Sequence, residues 1–340
     1  MNVLKKLLLV AICILSMLCI ACGSTTDEKE VADNTKTETL KIGLMPDIDS
    51  IPFIIAQEKG YFKEEGVDVE LQYFKSAMDR ESALQSGNLD GGVSDMLAAG
   101  FAKAGGFDVK ITSSTNGNYC LIAGTGNTAK SLAEMKGQNI SVSKNTIIEF
   151  VLDEMLAQNN MTEADINKTV IPQIPTRLEM LQNGKLDGAV LPEPMGSIAI
   201  KNGSYLVNSS EAMKINPGVM VFLFIIFYTF SRFDTYSHYT CTDIVNMKEN
   251  KKEAIKAMYR AYDKAIEYLN STPQEEYMDL VIEAAGLPPA TKDALVMPKY
   301  MKAALPEKSD WDKSINWLNK KELVTEKYNY EDIVSDILTK

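Results

Sequence analysis

The pattern of apolar and polar positions predicts strands and helices that alternate along the chain. Residues 40–45 alternate as a strand does, and Pro52 in the loop after them suits the first turn of a helix. We expect this helix to run to Lys59, where Gly60 ends it, and residues 67–73 alternate as the next strand. This succession predicts a β-α-β unit, so the sequence indicates an α/β fold.

Two ten-residue segments nearly repeat each other. Residues 84–93 (Leu-Gln-Ser-Gly-Asn-Leu-Asp-Gly-Gly-Val) and 181–190 (Leu-Gln-Asn-Gly-Lys-Leu-Asp-Gly-Ala-Val) are identical at seven of ten positions. Each is typical of a helix end, a glycine cap and a buried strand, and we interpret them as parts of two lobes of like topology. The alternative is chance, because such joints use few residue types. The second lobe is expected to contain strands at 139–143 and 169–172 and an amphipathic helix at 147–158.

The length of 340 residues indicates about two domains. We expect residues 40–124 to form the first part of lobe 1 and residues 125–218 to form lobe 2. The remaining stretch, 219–340, includes a helix at 250–270 and is too long to be a tail. It is therefore expected to return to lobe 1, so that the chain crosses between the lobes at least twice and forms a hinge.

The N-terminal segment predicts export. Residues 1–21 contain two lysines, no acidic residue and a nearly unbroken apolar run that ends at Cys22. This pattern is typical of a secretory signal peptide and is too short for a good membrane-spanning helix. The residues before Cys22 resemble the lipobox of bacterial lipoproteins, which implies that Cys22 is diacylated. The alternative is an ordinary secreted protein or an uncleaved anchor. Residues 22–39 are polar and are expected to form a flexible tether.

Composition and charge exclude several classes of function. Asp and Glu number 46 against 35 Lys and Arg, which gives a net charge of -11, so we expect no nucleic-acid partner. The one histidine, His238, allows neither a Ser-His pair nor a histidine-rich metal site. The sequence also lacks glycine-rich phosphate loops and dinucleotide-binding motifs, so we expect no catalytic set, no metal and no cofactor. Outside the N-terminal segment, Cys120 and Cys241 allow one disulfide at most.

Short polar loops follow the predicted strands, at the end of the sheet where open α/β folds bind their ligands. In lobe 1 the candidate binding residues are Asp47, Asp49, Ser50, Ser76 and Asp95. In lobe 2 they are Asn145, Thr146, Arg177 and Glu193. The alternative for each is ordinary turn or cap chemistry, as in the capping box that Thr146 forms with Glu149.

Carboxylates outnumber cations among these candidates, which bears on the ligand. Arg177 is the only guanidinium that we expect at the cleft, and bidentate arginine is the usual partner of an oxyanion. The sequence therefore favours a cationic, amine-bearing or nitrogen-heterocyclic solute. A sulfonate or nitrate stays open because helix amides bind anions without arginine.

Three segments carry a resemblance to a known family. Residues 56–69 (Ala-Gln-Glu-Lys-Gly-Tyr-Phe-Lys-Glu-Glu-Gly-Val-Asp-Val), 84–93 and 186–194 resemble the solute-binding lipoproteins of ABC importers in the alkanesulfonate, nitrate and thiamine-pyrimidine group. The resemblance implies a two-lobed type II periplasmic binding fold, a Venus flytrap that closes on one small molecule. It further implies a lipid-anchored protein outside the cytoplasm, expected to be a monomer, that delivers its solute to a membrane permease and ATPase. Residues 223–247 do not resemble the family and are either an insertion or a damaged reading frame.

Two other classes of function stay open. An enzyme on the same fold, either a pyrimidine-precursor synthase or a chorismate-type lyase, would turn its ligand over. A ligand-sensing domain would act on a partner receptor. Unchanged recovery of the ligand after incubation favours binding over catalysis, and a neighbouring kinase gene, in place of permease and ATPase genes, favours sensing.

Overall fold

The computed structural model describes residues 39–224 and 241–338, and it leaves out the side chains of residues 241–248. Over these ranges no helix is both long enough and apolar enough to cross a membrane.

Several sequence-based predictions fall on residues outside this description. They are the signal peptide (1–21), Cys22 with nearly all of the tether (22–39), most of the atypical segment 223–247, and the side chain of Cys241. Cys120 is described, and it is a buried, free thiol.

The first lobe is built on a five-stranded sheet. Its strands, in the spatial order β2-β1-β3-β10-β4, are β1 (Leu40–Leu44), β2 (Val69–Tyr73), β3 (Gly91–Asp95), β4 (Val109–Ser114) and β10 (Gly218–Leu223). β1 is parallel to β2 and β3, whereas β10 is antiparallel to β3 and β4. The connecting helices are α1 (Ile51–Glu58), α2 (Tyr61–Glu64), α3 (Ala77–Gln85) and α4 (Met96–Ala104).

The second lobe repeats this topology. Its strands, in the order β7-β6-β8-β5-β9, are β5 (Tyr119–Ala123), β6 (Asn139–Val142), β7 (Asn167–Val170), β8 (Gly188–Pro192) and β9 (Tyr205–Ser209). Its helices are α5 (Ile147–Gln158), α6 (Ile174–Gln182) and α7 (Met195–Lys201). In each sheet one antiparallel strand separates the third parallel strand from the far edge strand. The two lobes therefore have the like topology that the repeat predicts.

The repeated segments occupy equivalent places in the two lobes. Residues 84–93 lead from α3 into β3, and residues 181–190 lead from α6 into β8. Asp90 Oδ2 accepts a hydrogen bond from the backbone N–H of Lys41 at 2.9 Å, and Asp187 Oδ2 accepts one from Asn139 at 2.8 Å. Asp90, just before β3, thereby ties β3 to the start of β1, and Asp187, just before β8, ties β8 to the start of β6. The repeat is thus a structural joint, present once in each lobe.

The chain passes between the lobes at two places. Because β5 pairs with β8 and β9, the first crossing lies between Ser114 and Tyr119, before the boundary at residue 124 that we expected from the sequence. The second crossing lies between Ser209 and Gly218.

After β10 the chain returns to the first lobe. Helix α8 (Cys241–Ser271) packs on α1 and α2, and the ring centroids of Phe53 and Tyr262 lie 4.9 Å apart at this contact. Three further helices follow, together with a last short one, at α9 (Met278–Ala285), α10 (Thr291–Ala294), α11 (Lys308–Lys320) and α12 (Tyr330–Ile333). Helix α11 packs on α4 with Trp311 fully buried, while α10 contacts α7 of the second lobe.

A cluster of five charged side chains joins the end of α11 to the second lobe. Lys168 and Lys321 each contact the carboxylates of Glu149, Asp153 and Glu163 at 2.6–3.0 Å. In the described part of the chain these three carboxylates are the acidic group close enough to share a metal ion. The two ammonium groups already neutralise most of the charge of these carboxylates. We therefore interpret the cluster as an ionic link between α5 and the end of α11.

Replacing Lys321 with methionine is expected to lower the free energy of unfolding by about 1–2 kcal/mol, because the largely buried Glu149 loses one of its two ammonium partners. Denaturant titration measures the change, with the exposed neighbour Lys320→Met as the control, expected to be within about 0.5 kcal/mol of wild type. Equal effects of the two substitutions would contradict a stabilising role for the cluster.

Candidate functional site

A small, partly open cavity lies between the lobes, at the ends of the strands where the sequence predicts the binding residues. Its volume is about 40 Å³, enough for a few water molecules and far below the space that a drug-sized ligand fills. The polar and charged lining includes Asp47, Asp49, Arg80, Asp95, Thr146 and Arg177. Apolar side chains such as Ile147 and Ile174 complete the wall. The cavity is therefore charged and narrow.

The lobes touch through the loops that border this cavity. The backbone N–H of Ile48 in the first lobe donates to the carbonyl of Glu193 in the second at 3.0 Å. The N–H of Ile174 donates in the other direction, to the carbonyl of Lys75, at 3.3 Å. Since each bond joins two loops that lead into the cavity, the lobes are held in a closed arrangement, and a larger guest needs them to part.

Asp47 and Asp49 form the acidic end of the cavity, in the short 3₁₀ turn Ile48–Ser50 and the residue before it. Asp47 Oδ1 accepts hydrogen bonds from the backbone N–H and the hydroxyl of Ser50, at 3.2 and 2.9 Å. Asp49 is buried, and its Oδ1 accepts no well-aligned hydrogen bond among the described residues, although the Thr115 hydroxyl and the Asn116 N–H interact with its carboxyl group. Burial, reinforced by the neighbouring charge of Asp47, raises the pKa of Asp49 to about 8. Burial also raises the pKa of Asp47.

Arg80 and Asp95 form a second charged group on the first lobe. The Arg80 guanidinium donates to the carbonyl of Val93 at 2.6 Å, to Ser94 Oγ at 3.0 Å and to Glu81 Oε1 at 2.7 and 2.9 Å. Asp95 is the N-cap of α4, and its Oδ1 accepts from the N–H of Ala98 at 2.8 Å. Burial raises the pKa of Asp95 to about 6, against the opposing pull of Arg80.

Arg177 of α6 is the cation of the opposite lobe, and its side chain is fully buried. Its Nη1 donates to the carbonyl of Ile171 at 2.8 Å. Its Nε and Nη2 have no partner among the described residues. Burial lowers the pKa of Arg177 to about 10, which leaves the guanidinium charged at neutral pH.

The structure brings five of the nine predicted binding residues to the cavity wall, namely Asp47, Asp49, Asp95, Thr146 and Arg177. The other four lie just behind it and support the loops. Ser50 donates to Asp47, and Ser76 caps α3 by accepting from the N–H of Asp79 at 3.3 Å. The backbone N–H of Asn145 donates to Glu149 Oε2 at 2.7 Å.

Glu193 also lies behind the cavity wall and holds α7. Its Oε2 accepts from the backbone N–H of Ser197 at 3.0 Å, and its Oε1 accepts from the thiol of Cys120 at 3.3 Å. Burial and the nearby Glu193 charge raise the pKa of the Cys120 thiol well above its ordinary value. Glu193 therefore fixes the loop between β8 and α7. Its own backbone carbonyl accepts the hydrogen bond from the N–H of Ile48.

The prediction that Arg177 is the only guanidinium at the cleft is wrong, because Arg80 also lines the cavity. Arg80 follows Ser76 by one helical turn, but its position in α3 does not distinguish it from an exposed helix cation. Its partners Val93 and Ser94 are brought to it only by the pairing of β3 with β1. Tyr119 was missed for a similar reason, since it reaches the cavity from the antiparallel strand β5.

Solved structures of similar fold include periplasmic binding proteins and a ligand-binding component of an ABC-type import system. The periplasmic aliphatic sulphonate binding protein SsuA of Escherichia coli has a TM-score of 0.68 at 16% identity, covering 88% of this chain and 92% of that one. The ligand-binding component of an ABC-type import system of Staphylococcus aureus, with zinc bound, has a TM-score of 0.69 at 15% identity, covering 89% and 98%. The periplasmic nitrate-binding protein NrtA of Synechocystis has a TM-score of 0.62 at 17% identity, covering 87% of each chain. At these identities the likeness establishes the two-lobed fold and confirms the predicted architecture.

Known sequences identify the family. The 4-amino-5-hydroxymethyl-2-methylpyrimidine phosphate synthases THI11 and THI13 of Saccharomyces cerevisiae are each 35% identical over 81 residues. The match spans about a quarter of the length of these curated relatives, 24%, and 24% of this chain. The family model described as NMT1/THI5 like matches residues 47–276. Because that match spans well over half of the 340 residues, the chain belongs to the NMT1/THI5-like family.

Proposed function

We propose that this protein is the solute-binding component of an ABC importer, which captures a small amine-bearing or nitrogen-heterocyclic molecule between its lobes. The observation that carries the proposal is the narrow, charged cavity between two lobes of like topology, joined by two chain crossings. Such a solute contacts Asp47 and Asp49 on one lobe and α6 on the other. Its contacts exist only when the lobes are together, so binding shifts the population from open to closed.

Membrane partners follow from the same proposal. The closed form differs from the open form in the relative placement of the lobes, and a permease with its ATPase recognises that difference and receives the solute. Support comes from the family and from structural neighbours that carry the names of periplasmic and import-system binding proteins. We place this protein outside the cytoplasm as well, anchored through a lipid on Cys22 and monomeric.

The second candidate function is that of an enzyme on the same fold, favoured by the yeast synthases that match 81 residues. Among the described residues, the cavity wall contains neither histidine nor cysteine. Its Ser94 hydroxyl donates to Glu81 Oε1 at 2.7 Å, but that carboxylate is already paired with Arg80. Mass spectrometry of a bound solute before and after incubation separates the two functions, because a binding protein returns its solute unchanged.

The test of the binding function uses native mass spectrometry of the freshly purified protein, followed by a thermal-shift screen of amines, pyrimidines, flavins and sulfonates. A compound that binds is expected to raise the melting temperature of the protein and to reduce its radius of gyration measured by X-ray scattering. Asp49→Asn is expected to weaken an amine hit at least about tenfold, because the buried carboxylate partner is lost.

Asp108→Asn, which changes an exposed aspartate of the same lobe, is the matched control and is expected to bind as wild type does. Equal affinity of wild type and Asp49→Asn would remove Asp49 from the binding site. A radius of gyration that no bound solute changes would contradict capture by closure.

A further inference from the structure

The Arg177 guanidinium is an unusual feature of the described structure, since it is a fully buried cation with no acidic partner. One nitrogen, Nη1, donates to the carbonyl of Ile171, while Nε and Nη2 lack any acceptor in the described ranges. An unpaired buried charge and unsatisfied buried donors are both costly, and native structures that keep them do so for a reason. No described residue accepts a hydrogen bond from these two nitrogens, so we expect a bound solute to supply the acceptor.

The acidic side chains of the cavity do not serve Arg177. They gather on the first lobe, where Arg80 forms an ion pair with Glu81 and lies within the electrostatic reach of Asp47 and Asp95. Burial is the one resolved cause that acts on the pKa of Arg177, with no carboxylate beside it. The cavity is therefore polarised, with carboxylates on the first lobe and a lone cation on the second.

The two free nitrogens of Arg177 are the pair that binds an oxyanion side-on. Nε and Nη2 lie along one edge of the planar guanidinium, and their N–H groups point the same way, so they match two oxygens of a carboxylate, sulfonate or phosphate. The third nitrogen group is held by the Ile171 carbonyl, which fixes the plane of the fork. The edge is thus oriented in advance for a bidentate anion.

Asp49 gives the complementary feature on the first lobe, because it is a buried carboxyl on the cavity wall whose Oδ1 has no well-aligned donor. Resting on the function proposed above, we propose that the natural solute is dipolar, with an amine or ring N–H on Asp49 and an oxyanion on Arg177. The amine or ring N–H supplies a well-aligned donor to Asp49, and the oxyanion supplies an acceptor to Arg177. A dipolar solute also bridges the lobes, whereas a solute with one charge satisfies only one lobe and leaves the other end unpaired.

The test uses the full-length chain labelled with ¹⁵N-arginine, whose four arginines give a simple spectrum of Nε–H signals. The probes are ω-amino acids from glycine to 5-aminopentanoate, which vary the distance between amine and carboxylate. Alkylamines and alkanoates of matched length are the singly charged controls. We expect one ω-amino acid to move the Arg177 signal and to bind at least about tenfold more tightly than either matched control.

Two variants assign the effect to Arg177. Arg177→Gln is expected to lower the affinity for that ω-amino acid about 10- to 100-fold, down to the level of the matched amine. Arg260→Gln removes an exposed arginine that pairs with Glu65 on the outer surface, and it is expected to leave the affinity unchanged. Equal losses in the two variants would mean that the effect does not arise at the cavity.

The inference is overturned if neither the ω-amino acids nor formate, each at up to tens of millimolar, moves the Arg177 signal. An amine that binds tightly and closes the lobes without moving that signal would overturn the inference and leave the proposed function standing. An ω-amino acid that moves the signal without any change in the radius of gyration would support the inference and contradict capture by closure.

Discussion

Replacing Arg80 with methionine is expected to lower the free energy of unfolding by about 3–5 kcal/mol at neutral pH. Arg80 is almost fully buried, and it is the cation that faces Glu81, Asp47 and Asp95. Its removal leaves these carboxylates without a counter-charge in a poorly solvated place, which is more costly than the loss of the pair itself. The carbonyl of Val93 and the hydroxyl of Ser94 lose a donor as well.

Chemical denaturation followed by circular dichroism measures this change. The matched control is Arg177→Met, because Arg177 is also buried and of the same type but has no acidic partner. That variant is expected to unfold within about 1 kcal/mol of wild type, since removing an unpaired buried charge relieves a desolvation cost. Equal losses in the two variants would show that both arginines are structural.

The cost of Arg80→Met is expected to depend on pH in a definite direction. At pH 5 the carboxyls of Asp49 and Asp95, whose pKa values are raised to about 8 and 6, are largely protonated and need no counter-charge. At pH 8 they are ionised to a much larger extent, so the variant is expected to lose more stability there than at pH 5. A cost independent of pH would contradict the electrostatic explanation.

Asp49→Asn is expected to stabilise the ligand-free protein by a few kcal/mol at pH 9 and by only about 1–2 kcal/mol at pH 5. The pKa of Asp49 is raised from 3.8 to about 8 by burial and by the charge of Asp47. A raised carboxyl pKa means that the folded state holds the proton more tightly than the unfolded state does. This contribution to stability is complete below pH 4 and is lost as the pH rises through about 8.

Asparagine is neutral at every pH, so the variant does not lose stability through ionisation at position 49. Thermal unfolding at pH 5 to 9 is the measurement, and the wild-type melting temperature is expected to fall more steeply with rising pH than that of Asp49→Asn. The exposed Asp108→Asn is the control and should follow wild type. Parallel curves for wild type and Asp49→Asn would mean that Asp49 is ionised throughout this range.

The charged residues of this site are expected to have different effects on the stability of the fold. Arg80 holds the first lobe together, and its loss should destabilise the fold. Asp49 and Arg177 are costly to bury in the ligand-free protein, so replacing either of them should not destabilise the fold. Residues that lower stability while they line a cavity are typical of binding sites, where the ligand supplies the missing partner.

Much of the fold is predicted by the local pattern of the chain. Helix α5 runs over residues 147–158, as its apolar spacing predicts, and the repeated segments lead into equivalent strands of the two sheets. These features depend on neighbours in sequence, such as the glycine that ends a helix and the apolar residues that follow it. The acidic candidates Asp47, Asp49 and Asp95 were found in the same way, because they directly follow or end buried strands.

What the sequence by itself determined is the set of elements, the doubling of the lobe and the strand ends at which binding residues stand. Only the tertiary structure decided which of those residues reach the cavity, where the chain crosses between lobes, and how the charges are shared. Arg80 meets Val93 and Ser94 across the sheet, and Arg177 stays unpaired because the acids belong to the other lobe. The physical reason is that helix and strand formation depends on neighbours in sequence, whereas the burial and pairing of a charge depend on groups that folding brings together from distant positions.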